Sequence, residues 1–362
     1  MVKRTHRNFN NETFAMTYKL SICIPTYNFA RFLPETLETI FSQPRVNEVE
    51  VLILDGASTD ETPQLMKRYQ EKFPNLTYVR LRARGGIDRD MAQSVTHARG
   101  DYCWLFSGDD LMLPNVLAQV LDQIEGGVDL YLTRHLEWVD DRKEWVLWPT
   151  VNTGSKTVFD LTDREERRDY FLRAQNTEAF FSFIGGLIVK RASWERVSIN
   201  EEFIGSCWAH AARFFELMHS GLSVEVLSTA YLKRRPDNDS FGSGSITGRF
   251  RLTIDGFTRI AHHFFGTKSF EAHHVRRVLR NEYHPLNMML GKFLCDIDPE
   301  REDRQLMDRL IKELYGDLAL SSLRTRINYA LTTPKRFRRW QPDLSAKFDA
   351  IKGVTLASAP PH

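Results

Sequence analysis

Asp109 and Asp110 stand side by side at the end of an apolar run, in the stretch DYCWLFSGDD at residues 101–110. Cys103, Trp104, Leu105 and Phe106 read as a short buried strand, which runs directly into Ser107, Gly108 and the two acids. Adjacent carboxylates repel one another, and a bound cation relieves that repulsion. The position adds weight, because ligands of open α/β sheets bind just beyond the carboxyl ends of strands. On these residues alone a second reading stays open: Asp109 or Asp110 caps a helix starting at Leu111–Met112–Leu113–Pro114.

The elements that must position such a pair are legible upstream. Residues 19–28 read KLSICIPTYN, where Leu20, Ile22 and Ile24 alternate with smaller residues and Pro-Thr-Tyr-Asn breaks the strand. Phe32, Leu33, Leu37, Ile40 and Phe41 fall at helical spacing. A second strand over 49–54 ends on Asp55-Gly56-Ala57-Ser58-Thr59-Asp60. Glu61-Thr62-Pro63 then starts a helix with Leu65, Met66 and Tyr69 on one face. A third strand over 76–81 and a helix over 88–98 lead to the strand that carries the acid pair. Strand and helix in alternation predict a parallel sheet covered on both faces. Right-handed crossovers bring successive strand ends to one edge, so the polar turns after them can converge on one ligand.

Four phrases in this order, IPTYN at 24–28, LDGASTDET at 54–62, GGIDRDM at 85–91 and ARGDYCWLFSGDD at 98–110, resemble the family 2 glycosyltransferases of the GT-A fold. The resemblance covers residues 18–125 and is looser beyond. GGIDRDM and YCWLFSGDD are most similar to the abequosyltransferase-type subgroup, which builds O-antigen or related polysaccharides. The later phrases Phe183-Ile184-Gly185-Gly186, Trp208-Ala209-His210 and RPDNDSF at 235–241 fit that subgroup too. The resemblance implies a GT-A (Rossmann-like), mostly parallel α/β sheet with helices on both faces, followed by a mainly helical C-terminal region. It divides the chain into a disordered or loosely ordered tail (1–17), a nucleotide-sugar-binding half (18–125), a half that binds the acceptor and carries the catalytic base (126–250), a helical region (251–345) and a final tail (346–362).

Site residues follow from the same resemblance. Pro25, Thr26, Tyr27 and Asn28 match the first nucleotide-binding loop, where the Tyr27 ring offers a stacking face for a base, or is a half-buried turn residue. Asp55 matches the acidic loop that contacts the nucleoside, while Ser58, Thr59 and Asp60 suit the start of the next helix. Asp88 falls where the family often completes the nucleoside pocket; Asp90 reads equally well as a surface charge. Ser107, Gly108, Asp109 and Asp110 match the metal motif, with Asp109 the direct ligand of Mg²⁺ or Mn²⁺ and Asp110 beside it or acting through water. Such an ion stabilises the charge that builds on a departing diphosphate. Two departures stand out: Gly56 replaces a second acid that the family often uses on a uracil, and Ser107 replaces the first acid of the metal motif.

An inverting transferase needs a base for the acceptor hydroxyl. The family places an acid at the start of a late helix, and the matching position here is His210. Histidine has a suitable ordinary pKa, but a ring packed on Trp208 or bonded to a carbonyl is the alternative. Asp237 and Asp239 compete for the role from the loop RRPDNDSFGSG, which could close over the donor, with Arg234 or Arg235 meeting its diphosphate.

The 362 residues are 42% hydrophobic and 12% aromatic, with a net charge of +2. That is enough for more than one core, and it argues against a dedicated nucleic-acid binder. Four widely spaced cysteines without a CxxC pair suggest neither a disulfide scaffold nor a structural zinc. No stretch reads as a membrane span, and residues 1–16 lack the apolar core of a secretory signal. A cytoplasmic location follows as the expectation, at the inner face of the cell membrane if the acceptor is lipid-linked.

In the second half, strands are expected near 130–132 and 145–148 and a charged helix over 163–173. An apolar, glycine-split segment over 180–189 suits the floor of an acceptor pocket. Helices follow over 254–265, 269–293 and 301–315. The pairs His262-His263 and His273-His274 do not converge as zinc ligands would. From Arg324 to Trp340, six basic residues interleave with Tyr329, Leu331, Phe337 and Trp340 without an acid. Such a segment can lie on an anionic membrane carrying a polyprenyl-diphosphate-linked acceptor, or be a solvated basic helix.

The reading is a metal-dependent, inverting glycosyltransferase moving a sugar from a nucleoside-diphosphate sugar to a hydroxyl of a glycan. The alternative is a non-catalytic relative that binds a nucleotide sugar or glycan. A nucleotidyltransferase is disfavoured because PTYNFARF, not a glycine-rich basic loop, follows the first strand.

Overall fold

The structure is a computed structural model that describes residues 18–139, 142–236, 238 and 245–345. Asp237, Asp239 and both expected tails lie outside the described residues. In chain order the first elements are β1 (Tyr18–Thr26), α1 (Leu33–Phe41), β2 (Glu50–Asp55), α2 (Thr62–Lys72), β3 (Leu76–Arg80), α3 (Ile87–His97) and β4 (Gly100–Leu105). Then come β5 (Leu111–Met112), α4 (Val116–Gln123), β6 (Leu130–Val139), β7 (Glu144–Leu147), β8 (Val158–Asp160), α5 (Arg164–Arg173), β9 (Leu187–Lys190), α6 (Arg191–Trp194), α7 (Ala209–Leu217) and β10 (Ser223–Lys233). Six helices close the described chain: α8 (Ile246–Phe265), α9 (Phe270–Glu282), α10 (Pro285–Ile297), α11 (Arg304–Tyr315), α12 (Leu320–Leu331) and α13 (Pro334–Trp340).

One sheet runs β3-β2-β1-β4-β9-β6-β10-β5, with β7 on β6 and β8 on β10. The halves drawn at residue 125 therefore share a sheet. β1, β2, β3 and β4 pair in parallel. β9 is antiparallel to both β4 and β6, which restores β6 to the direction of β4, and β10 runs parallel to β6. The carboxyl ends of β1, β2, β4, β6 and β10 thus reach the same edge.

Side-chain alternation explains why both faces need cover. Leu20, Ile22 and Ile24 of β1 pack with Leu33, Leu37 and Ile40 of α1. Cys23 of β1 points the other way, into the core that holds Met91 and Val95 of α3. Fully burying a Leu or Ile contributes roughly 2 kcal/mol, so this two-sided burial fixes the register that sets the strand ends.

Two expectations change. The helix expected over 269–293 is broken into α9 and α10, because Pro285 has no N–H to continue α9 and instead occupies the first turn of α10. The helix expected over 254–265 begins earlier, at Ile246, where the Ser245 hydroxyl accepts the Gly248 amide at 2.8 Å.

Candidate active site

The first two turns at the sheet edge are tied together by their own polar groups. Asn28 adopts a left-handed φ of 58°, and its Oδ1 accepts from Thr59 N at 2.8 Å. Asn28 N donates to Ser58 Oγ at 2.9 Å. Asp60 accepts from Ala30 N and Thr62 N, both at 3.0 Å, so it joins the loops as well as starting α2. Asp55 is fully buried; it accepts from Ser58 N at 2.7 Å and from the Tyr78 hydroxyl at 2.6 Å. These bonds fix the two turns without a ligand. The Tyr27 ring carries the Arg84 guanidinium 4.2 Å from its centroid, so a cation covers one face of the ring expected to stack on a base.

Neither Asp109 nor Asp110 caps a helix: β5 follows them, and α4 begins only after Asn115. Both acids are buried, at 7% and 3% exposure. Ser107 Oγ donates to Asp109 Oδ1, so the serine that replaces the motif's first acid is engaged by the second. Asn238 donates to Asp109 Oδ2 at 2.7 Å. The Arg235 backbone N–H donates to Asp110 Oδ1 at 3.1 Å, and its Nε to the Asp109 carbonyl at 2.9 Å. Arg235 also pairs with Glu35 of α1. Gly108 packs against Phe29, where an added Cβ would come within 3.1 Å of the ring, and its carbonyl accepts from Thr36 at 3.1 Å. Burial, then the neighbouring Asp109 charge, push Asp110 up to about 7. That strain is of the kind a divalent cation removes. Among the described residues no cluster of three or more acidic, His or Cys side chains is placed to hold a metal. The pair therefore fits an ion that takes its remaining ligands from phosphate oxygens and water.

The two acids of α3 are used differently from expectation. Asp88 accepts from the backbone N–H groups of Gly205, Cys207 and Ala209 at 2.8, 3.0 and 3.0 Å. The donors lie in the turn that leads into α7 and at its first residue, so Asp88 anchors the start of that helix. Asp90 is not a surface charge: it is 4% exposed and accepts from Gly85 N at 3.1 Å. Its Oδ2 lies where a Cβ on Gly56 would fall, 2.7 Å away. Burial raises the Asp90 carboxyl, and the nearby Asp55 charge adds to the rise. Asp90 thus brings to the Asp55 turn the acid that position 56 lacks. The missing acid at Gly56 was the sequence signal that could have found it.

His210 lies in the first turn of α7 at 6% exposure. Its Nε2 is 3.0 Å from the Phe181 carbonyl, and its ring is 6.3 Å from that of Trp208. Burial lowers its pKa to about 4. This is the carbonyl-bonded arrangement weighed against a base role, and such a ring holds a proton poorly near neutral pH.

Sequence reasoning missed a second polar group at the same edge. His135 and Glu137 share a face of β6, and Glu178 comes to them from a 3-10 turn, Thr177–Phe180. Arg234, just after β10, lies 3.3 Å from Glu137. Periodicity gives no sign of a contact between residues 43 positions apart.

Residues 21–184 match the family model described as Glycosyl transferase family 2. The chain is 29% identical over 254 residues to the abequosyltransferase RfbV of Salmonella typhimurium, covering 68% of this chain and 75% of that one. The fold is similar to S. aureus TarS 1–349 in complex with UDP-GlcNAc, with a TM-score of 0.58 at 18% identity over 89% of this chain and 92% of that one. It is also similar to the mannosyltransferase PcManGT of Pyrobaculum calidifontis in complex with GDP-Man and Mn²⁺, with a TM-score of 0.50 at 19% identity over 91% and 84% of the two chains.

Proposed function

From the premise that this chain is a family 2 glycosyltransferase of GT-A fold, we propose that it moves a sugar from a nucleoside-diphosphate sugar to a hydroxyl of a growing glycan, with inversion, aided by Mg²⁺ or Mn²⁺. The observation that carries this reading is the buried Asp109–Asp110 pair at the shared strand edge, flanked by the Asn28 and Asp55 turns and by Arg235. Pro25, Thr26, Tyr27, Asn28, Asp55 and Asp90 form the nucleoside side. Ser107, Gly108, Asp109 and Arg235 face the diphosphate, and Asp109 with Asp110 would hold the ion. Bound there, a divalent cation supplies a Lewis acid to the departing diphosphate. Arg235 can exchange its bond to Glu35 for one to a phosphate, a partner that guanidinium matches well.

Similarity to an abequosyltransferase supports an acceptor of the O-antigen or related polysaccharide type. Helices α12 and α13 add a reason to think that the acceptor is lipid-linked. Leu320, Leu323, Ile327 and Leu331 are exposed on α12, and Leu318 just before it is 96% exposed. Arg324, Lys335, Arg338 and Arg339 are exposed around them. An apolar stripe with a basic surround suits the headgroup region of an anionic membrane, here the inner face of the cell membrane. No described helix is long and apolar enough to cross a bilayer.

The test is thermal shift with UDP, GDP, CDP and dTDP and their sugar conjugates, with and without Mn²⁺, on wild type and Asp109→Ala. A ligand of the folded state raises the melting temperature by mass action. Stabilisation by one nucleotide that needs metal and is lost in the variant supports the reading. No metal-dependent shift with any of them favours a glycan-binding relative instead.

A further inference from the structure

Resting on that reading, we propose that Glu178 takes the proton from the acceptor hydroxyl, with His135 and Glu137 behind it as positioning residues. Glu178 Oε2 is 3.5 Å from His135 Nδ1, and Glu137 Oε2 is 3.3 Å from His135 Nε2. His135 is fully buried and Glu178 is 8% exposed. Both ring nitrogens and both of these carboxylate oxygens are covered, and none has a hydrogen bond of good geometry. Four buried polar atoms held by ion-pair contacts, without a well-formed hydrogen bond, cost free energy that folding alone gives no reason to accept. An imidazole oriented between two acids can, however, take up or pass on a proton.

Its location suits the reaction. His135 is the register partner of Leu232 on β10. Three residues beyond Leu232, the Arg235 amide holds Asp110. The cluster therefore lies beside the carboxylate pair on the side away from the nucleotide loops, where an acceptor must approach. Phe183 packs on the His135 ring with centroids 4.5 Å apart and keeps it in place. The charged groups around Glu178 are His135 and Glu137 from β6, Arg134 from the same strand, Arg234 after β10, Asp110 before β5 and Glu282 from α9. Burial raises the Glu178 carboxyl well above its ordinary value, and the nearby Arg234 charge works against that rise by favouring the ionised form that accepts the proton.

The step balances as follows. The acceptor oxygen bonds to the anomeric carbon while the bond from that carbon to the diphosphate oxygen breaks. Its electron pair leaves with the nucleoside diphosphate, and the hydroxyl proton passes to the Glu178 carboxylate. His135 Nδ1 can share that proton while Nε2–H is held by Glu137, whose charge Arg234 balances.

The experiment uses the full chain with Mn²⁺ and the UDP, GDP, CDP and dTDP sugars, with water and p-nitrophenyl glycosides as acceptors. Glu178→Gln is expected to bind nucleoside diphosphate within about 2-fold of wild type while turnover falls by roughly 10²–10⁴-fold. Glu178→Asp should recover part of the rate. His135→Gln should move the acidic limb of the kcat–pH profile, which a purely structural role would not do. These last two variants carry the test if Glu178→Gln does not fold. Turnover within about 3-fold of wild type in a Glu178→Gln protein that binds donor overturns the proposal alone. A wild type that binds none of the nucleotides overturns the donor site and this proposal together.

Discussion

Replacing Asp110 by asparagine is expected to stabilise the metal-free protein at alkaline pH while removing its metal-dependent hold on nucleotide. In the folded chain, burial and then the Asp109 charge push Asp110 up to about 7 from an ordinary 3.8. Between those values the folded state holds a proton that the unfolded chain has lost. The associated stability is full below about pH 4 and is lost as pH rises through about 7. At roughly 1.4 kcal/mol per pH unit the loss has a ceiling of about 4 kcal/mol. Asparagine cannot ionise, and its carbonyl oxygen can still accept from the Arg235 amide. Its NH₂ needs a new partner, so a net gain of about 2 kcal/mol above pH 8 is reasonable. Urea melts in EDTA at about pH 4.5 and pH 8.5 measure it. The gap between variant and wild type should widen with pH, and Mn²⁺ with nucleoside diphosphate should stabilise wild type only. An equal gap at both pH values would refute the claim that Asp110 is a strained carboxyl.

Other expected outcomes follow from single contacts. Asp88→Ala leaves three amides at the start of α7 without their acceptor and should cost about 3 kcal/mol in urea unfolding. Gly56→Ala forces a Cβ to 2.7 Å from Asp90 Oδ2; a loss of about 1–3 kcal/mol and weaker nucleoside binding by calorimetry are expected. Arg338→Glu with Arg339→Glu should weaken sedimentation with anionic vesicles by at least about 10-fold, and unchanged binding would remove the membrane role. Replacing Pro285 by alanine should extend hydrogen-exchange protection from α9 across Tyr283 and His284, and unchanged protection there would refute the claim that the proline sets the break.

What could be read from the sequence was local and periodic. Cys103 to Phe106 reads as a strand because an uninterrupted apolar run of that length suits an element covered on both faces, β4 running as far as Leu105, and Asp109–Asp110 stood out as charge placed against it. The same logic fails for Asp88 and Asp90. Two residues apart on one helix they point in different directions, one to the amides of α7 and the other to Gly56. Their sequence surroundings are nearly identical, and only the packing of α3 between β1, β2 and α7 decides which acid serves which neighbour. Helix length misled over 269–293 because apolar residues at helical spacing resume just beyond Pro285, although that residue cannot extend the hydrogen-bond ladder of α9.

The cluster of His135, Glu137 and Glu178 marks the deeper limit. Its members come from a strand and from a turn after α5, and Arg234 joins them from the end of β10. Each alone reads as an ordinary polar residue, and what sets them apart is a joint property: buried together at ion-pair distance without a well-formed hydrogen bond. The resemblance to a family pointed to the start of α7 for proton removal. There the acid's place is taken by His210, its Nε2 already set against a backbone carbonyl. A chain that gives up the acid at that helix start and holds two buried acids around an imidazole beside Asp110 has the parts to remove the proton with Glu178 instead. If so, Glu178→Gln and His210→Gln must differ: the first should lower turnover with donor binding intact, and the second should act mainly on stability through the Phe181 carbonyl that it leaves with an altered partner.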